Sequence, residues 1–395
     1  MSSISVISPT FATQRERVSV GLALSGGGFR AALFHLGAMR RLNELNILSQ
    51  LSTVSSVSGG SIFSAFLATK LNWPLTRPED HWEEVVAKPF RLFCRRNIRT
   101  KPILLGFVPS VANSDLIEKQ YRKYLTDRSV ASLPDGPNFI FCATDLSFGV
   151  NWIFGKTQTG DYQAGYLSSS PKDWNLSFAV AASSCFPPVF QPLSLGERAK
   201  ELEPAKFPPG QTRDDYVKGL RLSDGGLYDN LALEPIWTTH QVVLCSDGGG
   251  LFGFGADQGL FWEVKRYISI PQNQALALRK RWLISKFAAG VLHGTYWGVG
   301  GSPSSYGVEG GYSKELAKQV IATVRTDLDA FSEAEAAVLE NHGYLLTDSA
   351  ITKHVPEMLP ESKPPLVVPH QEWLDESKVR KALKGSSKRK LLGHW

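Results

Sequence analysis

The chain has 395 residues, 43% of them apolar and 11% aromatic, and a formal net charge of +6. That is ample apolar material for a sizeable core in one or two domains, and it excludes a long disordered protein. The four cysteines, Cys94, Cys142, Cys185 and Cys245, show neither CxxC nor Cys/His ligand spacing, which excludes a disulfide framework and a zinc site and fits a reducing cytosol.

Residues 1–16 read as a lead-in that lacks the charged start and continuous apolar stretch of a signal peptide. Residues 17–24 are a short apolar run ending in Ser25-Gly26-Gly27-Gly28, after which 29–48 places its apolar residues at helical spacing. The same strand, glycine turn and helix return at once as 51–57, Ser58-Gly59-Gly60 and 61–71. Two successive units of this kind imply a parallel sheet covered by helices on both faces, so we expect an α/β fold: three layers, α/β/α, around a mainly parallel sheet.

Further along, 80–127 looks largely helical, 139–143 and 241–246 read as strands, 222–224 as a short strand running into a glycine turn, and the Pro- and charge-rich 197–213 as a surface loop. The stretch 271–311, dense in Gly, Trp and Tyr, is expected to form a lid or an active-site wall. Ser332 and Glu335 make a capping box for a helix expected to stop near Asn341 and Gly343. The chain therefore divides into the lead-in, a main α/β domain over 17–312, and a helical extension over 313–395 with a basic tail. No uncharged segment reaches the roughly 20 apolar residues of a membrane span, so any membrane contact is expected to be peripheral.

Two basic clusters stand out: Lys88, Arg91, Arg95, Arg96, Arg99 and Lys101, and then Lys378, Arg380, Lys381, Lys384, Lys388, Arg389 and Lys390. Both read most simply as solvated faces, with Ser386 and Ser387 suggesting a flexible tail. Phe90, Phe93, Ile98, Ile103 and Leu104, interleaved with the first cluster, favour a lipid-facing surface there over a nucleic-acid groove, and no nucleic-acid partner is expected.

Ser58 carries the first chemical signal. A serine at the junction of a buried strand and a helix, in Ser56-Val57-Ser58-Gly59-Gly60, sits on a sharp turn with its hydroxyl exposed and a helix N-terminus behind it, as a nucleophile requires. The usual elbow is Gly-x-Ser-x-Gly, and Ser56 stands in place of its first glycine; a simple strand-to-helix turn reads equally well from this motif alone. The preceding loop, Ser25-Gly26-Gly27-Gly28-Phe29-Arg30, offers unencumbered amides that can bind an oxyanion. It lacks the Gly-Lys-Ser/Thr of a P-loop and the last glycine of Gly-x-Gly-x-x-Gly, which disfavours a nucleotide. Arg30 is either a structural cation or a contact for a substrate phosphate. Asp224-Gly225-Gly226 and Asp247-Gly248-Gly249 each offer a base, and each reads as well as a turn aspartate bonding its own backbone.

In chain order, Leu24-Ser25-Gly26-Gly27-Gly28-Phe29-Arg30-Ala31, Ser56-Val57-Ser58-Gly59-Gly60 and Asp224-Gly225-Gly226 with Asn230 resemble the motifs of the patatin-like phospholipases, which share their fold with the cytosolic phospholipases of A type. The resemblance covers roughly residues 18–247 and includes Ala182-Ser183-Ser184-Cys185-Phe186-Pro187-Pro188 before Asp224. It implies a patatin-like fold and a lipid acyl hydrolase of phospholipase A or lysophospholipase type, with a Ser58–Asp224 dyad without histidine and an acyl-enzyme intermediate. It further implies an oxyanion hole at Gly26, Gly27 and Gly28, no cofactor and no metal, a phospholipid or lysophospholipid substrate, and a cytoplasmic protein able to work peripherally at a membrane. Ser56 and Ala31 depart from the family pattern, and Ser56 bears on the turn geometry. The alternative is a weak or inactive relative kept as a lipid-binding or regulatory module. A Ser–His–Asp triad competes as mechanism, with His240 its best candidate; His35 reads as a packed helix residue and His342 as a favourable charge at a helix end. An aspartate of ordinary pKa near 4 is a weak base, so the site is expected to lean on its amides and on burial. Residues 287–297, with Trp282, are expected to contribute to an apolar trench.

Overall fold

The computed structural model describes residues 19–106, 108, 112–167, 172–203, 210, 212–250 and 259–386; the lead-in and Lys388, Arg389 and Lys390 lie outside them. The first unit is β1 (Val20–Leu24) and α1 (Gly28–Glu44), the second β2 (Leu51–Val57) and α2 (Gly59–Lys70). Helices α3 (Lys88–Cys94), α4 (Thr100–Leu105) and α5 (Asn113–Tyr124) lead to β3 (Asn138–Asp145) and the antiparallel run β4 (Val150–Phe154), β5 (Thr159–Asp161) and β6 (Gly165–Leu167). Then come α6 (Leu176–Ser184), β7 (Leu193–Ser194), β8 (Leu202–Glu203), α7 (Arg213–Gly219), β9 (Arg221–Asp224), α8 (Gly226–Asp229) and β10 (Val242–Asp247). The chain continues through α9 (Leu260–Ala288), β11 (His293–Gly298), α10 (Lys314–Gln319), α11 (Glu333–His354) and α12 (Glu376–Leu383).

Among the described residues the strands form one sheet whose central order is β11-β10-β1-β2-β3, all parallel, with antiparallel strands continuing beyond β3. β1, β2 and β3 are buried nearly throughout; β1 and most of β3 accordingly read as apolar runs rather than alternating ones, while β2 buries Ser and Thr among its apolar residues. β9 decides the site. β2 ends where Val57 pairs with Cys142 of β3, and the next residue of β3, Ala143, pairs with Asp224 of the antiparallel β9. The carboxyl ends of β2 and β9 therefore meet tip to tip along one edge of β3.

The extension is part of the core. α11 opens at the expected capping box but runs on to His354, because Gly343 is a contact residue and not a stop. A Cβ on Gly343 would collide with the Phe34 carbonyl oxygen, and one on Gly37 with that of Glu340, so the two glycines let α1 and α11 cross at backbone distance. His342 is correspondingly no terminal charge: it is fully buried, its Nε2 bonds the Val299 carbonyl at 2.9 Å, and burial holds its pKa down to about 4.

Two other expectations change. Residues 271–311 do not form one lid: they comprise the second half of α9, the sheet strand β11 and a short 3-10 turn, and Trp297 is core. In the first basic cluster Phe90, Phe93, Ile98 and Ile103 are buried and only Leu104 is exposed. Arg91 pairs with Glu83 and Glu340, and Arg99 with Asp327 and Asp329. Four of these five apolar residues face the core, while Leu104, with Leu92 and Leu105, stays at the surface, so the interleaved residues do not make a lipid-facing surface as a set. Ser386 is equally fixed, bonded to Glu335 at 2.5 Å and Arg325 at 3.1 Å. No described helix is long and apolar enough to cross a membrane.

Candidate active site

Ser58 caps α2 with φ 52 and ψ −118, a conformation that side-chain-bearing residues rarely adopt and that costs of order 1–3 kcal/mol unless its surroundings enforce it. They do. Gly60 donates its N–H to the Ser25 carbonyl at 3.1 Å, and a Cβ there would strike Leu24. A Cβ on Gly59 would strike the carbonyl of Gly28. The two glycine turns are interlocked, and only glycine fits between them. On the other side Ser183 of α6 accepts the Ser58 N–H on its hydroxyl at 2.9 Å, donates to the Cys142 carbonyl at 2.6 Å and bonds Ser61 at 2.8 Å. The sequence signal for Ser183 was only its place in the Ser- and Pro-rich turn.

Ser56 does not disturb this turn. It lies inside β2, where its hydroxyl donates to the Ile140 carbonyl at 3.1 Å and accepts from Ser61 at 3.2 Å. The missing glycine is thus replaced by a tie between β2 and β3. Ala31 is matched by Gly248, where a Cβ would lie 2.5 Å from the Ala31 Cα.

The Ser58 hydroxyl and the Asp224 carboxylate come together at these strand ends, and the carboxylate accepts the Gly226 N–H at 2.7 Å. Thr144 donates to the Asp224 carbonyl at 2.9 Å and holds β9 in register. Asp224 is fully buried, and burial raises its pKa to about 7 against the opposing pull of the Gly226 amide and the Ser58 hydroxyl. The carboxyl is therefore a better base than the ordinary aspartate expected, because no cation is among the groups that act on it. Ser58 itself is 9% exposed. Asn230 stands beside both: its side-chain oxygen lies where a Cβ on Gly26 or Gly226 would have to sit.

Asp247, the rival base, is spent elsewhere. It pairs with Lys280, accepts from Tyr296 at 2.6 Å and from the Gly249 amide at 2.9 Å, and its pKa is lowered: burial raises it, but Lys280 and these donors outweigh burial. His240 bonds Thr53, near the amino end of β2, and Thr239, at the opposite edge of the sheet from Ser58. Both nitrogens of His35 are committed, to Ser25 and Ser246, and burial pulls its pKa to about 4. The triad histidine therefore has no candidate among these residues.

Arg30 is a structural cation. It is buried, donates to the carbonyls of Gly248 at 3.0 Å, Val324 at 2.7 Å and Ala322 at 3.4 Å, and pins the 320–328 segment against the glycine loop. Desolvation lowers its pKa to about 10 although Asp247 opposes it. This burial removes it from the reach of a substrate phosphate. In the loop it closes, the Gly26 N–H is donated to the Asn230 carbonyl at 3.0 Å and the Phe29 N–H to Asp327 at 2.8 Å. Gly27 and Gly28, at φ 138 and 57, turn the chain between them. An open hollow of about 410 Å³ on α4, lined by Asn97, Thr100, Lys101, Leu104 and Leu105, includes none of these residues. Among the described residues no group of three or more His, Cys, Asp or Glu converges on a metal position.

A strained serine on a strand-to-helix elbow, beside a buried aspartate at the carboxyl ends of a mainly parallel sheet, defines the class of protein: a layered α/β fold with a serine and an aspartate brought together at one edge of β3. The sequence model for patatin-like phospholipase matches residues 22–237, more than half of the chain, and the protein belongs to that family. Human GIVD cytosolic phospholipase A2 bound to methyl gamma-linolenyl fluorophosphonate and terbium chloride is 14% identical over 94% of this chain and 59% of that one, with a TM-score of 0.48. VipD from Legionella pneumophila is 15% identical over 86% of this chain and 67% of that one, TM-score 0.37. The chain spans 45% to 59% of the cytosolic phospholipase A2 chains it matches. No curated protein sequence matches it.

Proposed function

We propose that the protein cleaves fatty acyl esters of phospholipids or lysophospholipids through an acyl-enzyme on Ser58, with Asp224 as the base. The observation that supports this reading is a serine held at positive φ beside a buried carboxylate whose pKa burial raises to about 7. As the Ser58 oxygen bonds to the ester carbonyl carbon, its proton passes to Asp224. The tetrahedral oxyanion is held by the amides of Gly27 and Gly28 and favoured by the positive end of α2. Gly26 serves instead by letting Asn230 and Ser58 close against the loop. The C–O bond to the alcohol then breaks, the alcohol leaves with the proton from Asp224, and water repeats the cycle to release the fatty acid.

The test is turnover of short-chain p-nitrophenyl esters and mixed phospholipids by the wild type, Ser58→Ala, Asp224→Ala and His240→Ala. The first two substitutions should each remove about 100- to 10,000-fold of the rate, and His240→Ala should leave it within about twofold. Equal turnover by all four proteins would sink the assignment, and loss in His240→Ala would overturn the dyad.

A further inference from the structure

The helix α9 is long, and Leu283 is the one wholly buried residue among its described side chains. Polar and apolar contacts together hold it to the domain. Gln272 donates to the Gly226 carbonyl at 2.7 Å, Arg279 pairs with Asp229 at 3.4 Å and Glu234 at 3.6 Å, and Lys280 pairs with Asp247. Leu283, with Leu276, Trp282 and Phe287 around it, packs on the small core cluster of Ile236 and Val243, and Trp282 stands against Trp237 with ring centroids 4.1 Å apart.

Its other face is apolar as well, and uncovered. Val264, Tyr267, Ile270, Leu278 and Ile284 are all exposed, Tyr267 at 66% and Leu278 at 59%, and Val291 just beyond the helix is exposed as well. Their spacing follows three- and four-residue steps through Gln274 and Arg281, so they form one stripe. Arg266, Arg281 and Lys286 lie along or beside it, and Glu263 is the helix's only acidic residue. A helix that packs apolar side chains inward and shows a second apolar stripe outward, edged by cations, differs from an ordinary surface helix, whose outer face is polar. Its natural counterpart is a surface apolar in depth and negative at its rim.

We infer that the outer stripe of α9 is a docking surface for an anionic lipid bilayer. Its apolar side chains enter the acyl boundary while the exposed Arg281 meets lipid phosphates. The position supports this occupant over others: Gln272, on the opposite side of the same helix, touches Gly226, two residues from Asp224, so a docked α9 lies over the reacting groups. The inference rests on the lipid hydrolase reading for its purpose but not for its measurement.

The experiment uses the full chain carrying Ser58→Ala, so that vesicles stay intact, and compares it with the same protein carrying Tyr267→Ser, Ile270→Ser and Leu278→Ser. Co-sedimentation is measured with vesicles of phosphatidylcholine alone and with phosphatidylglycerol added. The parent should bind the anionic vesicles, more weakly as salt rises, and the triple variant should bind roughly tenfold or more weakly. With Ser58 restored, the triple variant should hydrolyse a soluble p-nitrophenyl ester at the parent's rate while losing turnover of vesicle lipid. Equal vesicle binding by parent and variant overturns the inference. So does a parent that binds no vesicles but loses self-association in the variant, which would assign the stripe to a second copy of the chain. If the parent binds vesicles but neither form hydrolyses any ester, the hydrolase reading has failed and the docking surface stands.

Discussion

Replacing Asp224 by Asn tests the reasoning at its most specific point. The substitution keeps an oxygen for the Gly226 N–H and removes only the charge. Burial lifts the carboxyl from 3.8 to about 7, which corresponds to about 4 kcal/mol disfavouring the ionised form in the folded protein. The folded state keeps its proton up to about pH 7, whereas the unfolded chain releases it near 4. This group's penalty is therefore absent below about pH 4, grows between 4 and 7, and is complete above 7. Asp224→Asn should accordingly be more stable than wild type by up to about 4 kcal/mol at pH 8 and equal to it near pH 4, as read from denaturant midpoints across that range. Activity should move the other way. Wild-type kcat/KM should fall about tenfold per unit below pH 7, as the base takes up its proton, and the Asn variant should lose about 100- to 10,000-fold in kcat. A wild-type limb near pH 4, or an Asn variant with no pH-dependent gain in stability, would refute the buried-base argument.

Three further outcomes follow from the same geometry. Asp145 and Asp161 are buried near one another, and burial together with their mutual repulsion raises Asp161 to about 7. Asp161→Asn should abolish a loss of stability of a few kcal/mol that the wild type suffers as pH rises from 4 to 7, measured by thermal melts. Gly343→Ala should destabilise by about 3 kcal/mol or more in urea titrations, since its methyl has only the Phe34 backbone to meet. Ser56→Gly, which restores the family residue, should keep kcat within about twofold and cost roughly 1–2 kcal/mol through two lost hydrogen bonds and a more flexible strand.

The site was legible where its signal is local. Each glycine turn follows an apolar run and precedes a helix within a few residues, so the neighbouring residues alone are enough to put Ser58 and the Gly26–Gly28 loop on strand-to-helix junctions. Asp224 and Asp247 could not be separated that way, because both are aspartates before two glycines. What divides them is Lys280 and Tyr296, which lie 33 and 49 residues beyond Asp247 and come to it only through folding. Gly343 misled for the same reason: in isolation a helical glycine marks an end, and only the neighbouring Phe34 backbone makes it a contact.

The amino-acid sequence by itself determined the layered α/β architecture, the order of the reacting groups and the capping box at Ser332, because strand burial, glycine turns and caps are satisfied by neighbours in the chain. Tertiary structure decided the charge state of Asp224, the burial of Arg30, the neutrality of His35 and His342, and the outward apolar stripe of α9. Each of these depends on how much water and which distant partner a group meets once the chain is packed, and desolvation and long-range pairing are not properties of any short stretch of sequence.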